Sequence, residues 1–173
     1  MSKRSNSDDL EIICAFIRDN RVALLTTVDR DGQFHTRPLQ TLQVEPRGTL
    51  WFFTDWYSPK VGELERDVRL SLGYANAATR TYIAISGAGR LYRDPVKARQ
   101  LWTVAQRAYY PKGPEDLRLA ILSVRIVRAE YWIAPGRLAH LAAAARAMIT
   151  GKPVEVVGEN HKIEVNAAVR GRV

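Results

Sequence analysis

Two short turns, Asp29-Arg30-Asp31-Gly32 and Glu45-Pro46-Arg47-Gly48, constrain the folding of this chain more than any other feature. They separate three runs rich in β-branched, aliphatic and aromatic residues: Val22 to Val28, Phe34 to Val44, and Leu50 to Thr54. Connections this short join antiparallel neighbours, because parallel strands need a crossover of about a dozen residues or more. The region from Val22 to Thr54 therefore reads as an antiparallel meander. The same reading continues downstream. Lys60 to Asp67 is a short helix, Leu70 to Ala75 a strand, and Asn76 to Thr79 a turn. Arg80 to Tyr92 is a long strand interrupted by Gly87 and Gly89, which suggests a bulge or a close backbone approach. Asp94-Pro95 opens a helix expected to reach Tyr109, and Pro114 to Arg118 allows a helical turn. Ile121 to Ile133 is expected to be the final strand.

Helices flank this β region. Ser7-Asp8-Asp9 resembles a capped helix start, with Leu10, Ile13, Cys14 and Ile17 following at helical spacing to a stop near Asp19-Asn20. Arg137 to Thr150 is an alanine-rich helix. Many strands joined by tight turns in a chain of 173 residues favour a barrel over an open sheet. The expected fold is mainly β: a six-stranded antiparallel barrel with peripheral helices. Residues 1–8 are expected to be a flexible N-terminus, 9–150 the domain with its C-terminal helix, and 151–173 a tail.

Composition removes several classes of function. Apolar stretches fall short of the roughly 20 residues of a membrane helix, and Met1 to Asp9 lacks a signal-peptide core. A cytoplasmic location is expected. One cysteine, Cys14, makes neither an internal disulfide nor a thiolate metal site, and its apolar neighbours suit a buried small hydrophobe. His35, His140 and His161 show no metal-binding spacing. The net charge of +8 suits an anionic partner, but the arginines are scattered rather than clustered, which argues against nucleic acid. Gly87-Ala88-Gly89 lacks the third glycine of a dinucleotide fingerprint and sits inside a strand.

Two segments carry candidate chemistry. Thr36-Arg37-Pro38-Leu39 puts a guanidinium, well shaped for phosphate oxygens, beside a proline that cannot donate to a strand ladder. Alone, it reads more readily as a strand-edge proline with a solvated arginine. Phe53-Thr54-Asp55 and Ser58-Pro59-Lys60 lead into a helix whose free amides and positive dipole end suit an anion. Alone, that segment reads equally as a serine cap with an exposed lysine. The meander sets the Arg37 strand beside the strand ending at Thr54, so both cations can face one site. A phosphate would sit among Arg37, Ser58 and Lys60, with Phe53 and Thr54 lining a flat, partly apolar slot.

The stretch Leu25-Thr26-Thr27-Val28-Asp29-Arg30-Asp31-Gly32-Gln33 with Thr36-Arg37-Pro38-Leu39 resembles the opening hairpin of the flavin-binding split barrels. Leu50 to Asp55, Ser58-Pro59-Lys60-Val61, Glu63-Leu64 and Val68 to Leu72 continue the resemblance in register, and Ala129-Glu130-Tyr131-Trp132 resembles the last barrel strand. The likeness runs from about Asp9 to Lys162. It is greatest to the general stress protein group of the pyridoxamine 5'-phosphate oxidase-like family, through Gly89-Arg90-Leu91 and Leu101-Trp102. The resemblance implies an FMN-binding homodimer with its sites at the subunit interface. Arg37, Ser58 and Lys60 would hold the flavin phosphate. Pro38, Leu39, Phe53 and Thr54 would meet the ring and ribityl chain. Trp132, and with it Trp102, would reach the flavin from the second subunit. The implied activity is an FMN-dependent oxidoreductase using NAD(P)H and a small acceptor; a flavin-holding stress protein without turnover is the alternative. Leu42 and Pro59 stand where the oxidases themselves carry cations, and their substrate-binding tyrosine and arginine have no clear match in Gln100 to Tyr110, which argues against vitamin B6 oxidation.

Overall fold

The computed structural model describes residues 5–134, 148 and 159–165. The expected helix from Arg137 to Thr150 and most of the tail from 151 onward lie outside the described residues. The elements run α1 (Asn6–Asp19), β1 (Val22–Val28), β2 (Phe34–Val44), β3 (Thr49–Asp55), α2 (Pro59–Arg66), β4 (Arg69–Asn76) and β5 (Thr81–Tyr92). They continue with α3 (Pro95–Leu101), 3-10 turns at Val104–Ala108 and Gly113–Glu115, β6 (Leu119–Ile133) and β7 (Glu159–Glu164).

The strands form one antiparallel sheet in the order β3-β2-β1-β4-β5-β6-β7, and β3 also pairs with β6. That extra pairing closes six strands into a barrel and leaves β7 outside the ring. The first turn closes with Gly32 at φ 79°, a conformation with little steric cost only for glycine. The 15 residues of β6 make closure possible. Along one side β6 pairs with β5 throughout. Along the other, its first half pairs with β3 (Leu119 to Arg125) and its second half with β7 (Arg128 to Ile133). The sequence reading, which had this strand as the last, missed β7. A six-residue polar strand, Glu159–Glu164, does not announce itself without the β6 edge it covers.

The change of partner coincides with a bulge. The partner of Ser86 is Arg128 and that of Gly87 is Ile126, so Val127 is an extra residue. One extra residue reverses which side chains face inward. Val124 and Ile126 are buried before it, and Ala129 and Tyr131 after it. Glycine is required here by space: a Cβ on Gly87 would lie 2.7 Å from Val124 Cγ1 and 3.1 Å from the Arg125 carbonyl oxygen.

The barrel interior and the inner face of α1 share one core, including Ile13, Ile17, Leu25, Leu50, Phe52, Leu72, Ile85 and Ile126. Burying each such side chain contributes about 1.5–3 kcal/mol. Cys14 is buried there as expected, and burial pushes its thiol up from the ordinary value. The helix start differs by two residues from the expectation. Ser5, not Ser7, caps α1, in a reciprocal box with Asp8. Asp9, in the first turn of α1, is buried and accepts a 2.7 Å hydrogen bond from the Tyr131 hydroxyl.

A smaller core lies outside the barrel, where Phe53, Ala98, Leu101, Tyr110, Leu119 and Ile121 pack together. It explains why the helix from Asp94 stops at Leu101 rather than reaching Tyr109. Trp102 and Thr103 turn extended, the Trp102 ring settles on Phe53, and the chain restarts as a 3-10 turn. β-branched Thr103 and Val104 are weak helix formers, so packing decides the break. Among the described residues no helix is long and apolar enough to cross a membrane.

Candidate functional site

β3 ends at Asp55 and α2 begins at Pro59, and the short connection sets three polar side chains against one another. Lys60 Nζ donates to Thr54 Oγ1 at 3.0 Å and to Ser58 Oγ at 3.1 Å. Ser58 occupies the N-cap position, but its hydroxyl makes no cap hydrogen bond; it donates backwards to the Asp55 carbonyl at 2.6 Å. The reading of Ser58 as a simple helix cap is therefore wrong. Its hydroxyl belongs to the Lys60 cluster. Burial lowers the Lys60 ammonium from its ordinary value, and the nearby Arg37 charge lowers it further. Among the described residues no carboxylate lies within ion-pair distance of Lys60.

Arg37 is close enough to repel Lys60 but is already engaged. Its Nη2 donates to Glu63 Oε2 at 2.8 Å, and its Nη1 donates to the His35 carbonyl at 2.9 Å and to Thr27 Oγ1. Thr27 Oγ1 in turn hydrogen-bonds Glu63 Oε2. Glu63 is only 5 % exposed. Burial pushes its carboxyl up, but the Thr27 and Arg37 hydrogen bonds and the Arg37 charge outweigh that and hold it below the ordinary range. The solvated arginine of the sequence reading is thus a guanidinium tied to a buried carboxylate. The sequence contained the signal: Lys60, Glu63 and Leu64 stand at the i, i+3, i+4 spacing of one helix face.

A cleft of about 670 Å³ opens beside this cluster. Pro38 and Leu39 of β2, Phe53 and Thr54 of β3, and Lys60 of α2 all line it, so five of the residues singled out in the sequence meet in one cavity. The strands form one wall. The segment after α3 forms another, through Ala105, Gln106, Ala108, Tyr109 and Tyr110. This second wall was hidden from the sequence reading, which ran a helix through it. The pattern Thr103-x-x-Gln106 was the available signal of a fresh start.

The two tryptophans are placed differently. Trp102 packs on Phe53 of its own chain, with ring centroids 6.1 Å apart. Trp132 pairs with Tyr82 and Asn160 at the far end of β6 from Leu119, which stands beside Asp55. It is 36 % exposed and does not come to the cleft within one chain.

A second groove of about 570 Å³ runs past Thr26, Phe34, Leu70 and Gly87 and contains none of these residues. Its arginines are paired, Arg69 with Asp67 and Arg128 with Glu164, so it offers no comparable anion site. Among the described residues no cluster of histidine, cysteine or carboxylate side chains could hold a metal ion.

Known proteins are similar to this chain in sequence and in fold. Protein bli-3 of Neurospora crassa is 26% identical over 155 residues, covering 83% of this chain and 74% of that protein. The general stress FMN/FAD binding protein of Xanthomonas citri superposes with a TM-score of 0.63 at 27% identity, covering 73% of this chain and 89% of that one. A Clostridium acetobutylicum protein related to general stress protein 26 of Bacillus subtilis superposes with a TM-score of 0.68 at 15% identity, covering 91% and 96%. The family model described as pyridoxamine 5'-phosphate oxidase like matches residues 8–155. With the closed six-stranded barrel and its outer strand, that match places the chain in the pyridoxamine 5'-phosphate oxidase-like family.

Proposed function

We propose that this protein binds FMN in the cleft at Lys60, as a homodimer, and works as a flavin-dependent oxidoreductase that takes hydride from NAD(P)H and passes it to a small acceptor. One observation carries the reading: Lys60 is half-buried, hydrogen-bonded among the described residues only to hydroxyls, and opens onto a cavity of ligand size. A desolvated cation without a carboxylate is costly to keep and suits an anionic guest. The neighbouring Thr54 hydroxyl can donate to a phosphate oxygen, and the Ser58 hydroxyl can do so on releasing the Asp55 carbonyl. Arg37 adds a second charge, its orientation held by Glu63. Pro38, Leu39 and the Phe53 ring give a planar heterocycle an apolar surface. The flavin supplies hydride chemistry, and the chain's part is to bind, orient and shield the ring. The FMN/FAD-binding relative in Xanthomonas citri supports the choice of cofactor. The exposed Trp132 and Tyr82 on the outer barrel face suit the second subunit, where Trp132 would meet the partner's flavin.

A non-catalytic flavin-holding protein is the second reading, because among the described residues the cleft is lined by no histidine or cysteine and by no carboxylate raised toward neutrality. Mass spectrometry of the small molecule released from purified protein tests the cofactor. FMN near one per chain is expected, and a protein that neither retains nor takes up FMN overturns the proposal. Anaerobic bleaching of the flavin by NADH or NADPH, followed by reoxidation at a catalytic rate, separates the enzyme from the holder. Sedimentation tests the dimer, and a monomer at micromolar concentration removes it.

A further inference from the structure

The wall of the cleft opposite the strands holds two buried donors that the phosphate corner does not use. Gln106 is 7 % exposed and Tyr110 is 9 % exposed, and both line the cavity. The Gln106 carboxamide has a fixed sense. Its Oε1 accepts from the Thr103 amide at 2.9 Å and from the Thr103 hydroxyl, and a backbone N–H admits only the oxygen at that position. The Nε2 amino group is thereby turned away from Thr103, and it finds no acceptor among the described residues. The Tyr110 hydroxyl likewise makes no hydrogen bond among the described residues. Burial, with the charges of Asp55 and Asp116 adding to it, pushes that hydroxyl up to about 12, so it stays protonated and able to donate. Buried donors without acceptors are costly and uncommon in native proteins. Two on one cavity wall point to a ligand that supplies the acceptors.

We propose that Gln106 and Tyr110 form a second subsite in the cleft, which recognises a carbonyl oxygen of an uncharged, planar, quinone-class molecule. The Gln106 amino group sets the polarity: it can only donate, so the guest must offer an oxygen acceptor, to which the protonated Tyr110 hydroxyl can donate as well. The rest of the wall excludes charge, because Ala105, Ala108 and the Tyr109 ring are apolar and Lys60 stands with the strand-side hydroxyls. The inference rests on the flavin reading in one respect. A ring laid along Pro38, Leu39 and Phe53 leaves the 104–110 wall to face a second molecule.

The test is equilibrium dialysis of menadione, an uncharged naphthoquinone, against FMN-saturated protein. Two variants each remove one donor and keep its packing. Tyr110→Phe loses only the hydroxyl. Gln106→Glu keeps an oxygen for Thr103 but replaces the donor with a charged acceptor. Each is expected to weaken menadione binding by about five- to tenfold, the worth of one hydrogen bond, while FMN affinity stays at the wild-type value; Tyr110→Phe also keeps the wild-type melting temperature, so it carries the test where the buried charge of Gln106→Glu lowers stability. Menadione that fails to bind the wild type, or binds both variants unchanged, overturns the proposal. A parallel fall in FMN affinity also overturns it, because the donors then serve the flavin. Should the wild type take up no FMN, the flavin reading fails separately, and menadione binding to the same three proteins still decides the donor pair.

Discussion

Lys60, which lines the cleft, and Arg37, which does not, sit near one another in space and in opposite electrostatic states. Arg37 reaches into a closed network with Glu63, Thr27 and the His35 carbonyl. Among the described residues Lys60 meets two hydroxyls and no carboxylate within ion-pair distance. A buried ion pair is costly to break because removing one partner strands the other, whereas a charge left half-buried and uncompensated costs stability and is released from that cost by an anion. The contrast assigns different work to residues that look equivalent in sequence. Arg37 joins β2 to α2, and Lys60 is the group held ready for phosphate.

The largest expected effect follows when both are removed. Lys60→Ala combined with Arg37→Ala should weaken FMN binding by at least about 1.5–3 kcal/mol, the worth of the charge-assisted hydrogen bond from Lys60, with the loss of the nearby Arg37 charge adding to it. Riboflavin, which has the ring but no phosphate, should lose far less. Fluorescence titration with both ligands reads the difference, and an unchanged ratio of the two affinities breaks the assignment of this corner to phosphate.

Stability of the flavin-free protein separates the two cations. Arg37→Met leaves Glu63 buried without its partner and should cost about 1–3 kcal/mol in urea denaturation. Lys60→Met removes a desolvated charge and should leave stability unchanged or higher. The reverse order would show that Lys60, not Arg37, is the structural cation.

The smallest effect is a pH dependence, and its sign follows from Glu63. The folded carboxyl lies below the ordinary value of 4.5, so its contribution to stability is fully present above about that pH and is lost as pH falls through the lower folded value. Wild type should exceed Glu63→Gln in stability at neutral pH. The gap should hold down to about pH 4.5 and close below it. A gap that widens in acid would mean that the Glu63–Arg37 pair is not what stabilises this corner.

Much of the barrel was legible in sequence because its signals are local. The turns at Asp29-Arg30-Asp31-Gly32 and Glu45-Pro46-Arg47-Gly48, and the β-rich runs between them, placed β1, β2 and β3 within a residue of where they lie. The convergence of Pro38, Leu39, Phe53, Thr54 and Lys60 followed from the same hairpins. What escaped was nonlocal. Trp102 and Thr103 break the helix because Phe53, a residue on another element, offers the tryptophan ring a better site. β7 is polar and short, and it forms where the second half of β6 leaves an edge. Val127 shifts the inward face of β6 at the bulge, which no alternation rule anticipates.

The sequence by itself determined which segments pair antiparallel and which residue types stand at the two cationic segments, because turn length and side-chain chemistry act over a few residues. Only the tertiary structure decided that Arg37 is spent on Glu63 while Lys60 is not, and that Gln106 and Tyr110 face the same cavity. Those outcomes depend on which side chains compete for a partner in the folded state. That competition involves groups far apart along the chain, whose distances are set only once the barrel closes.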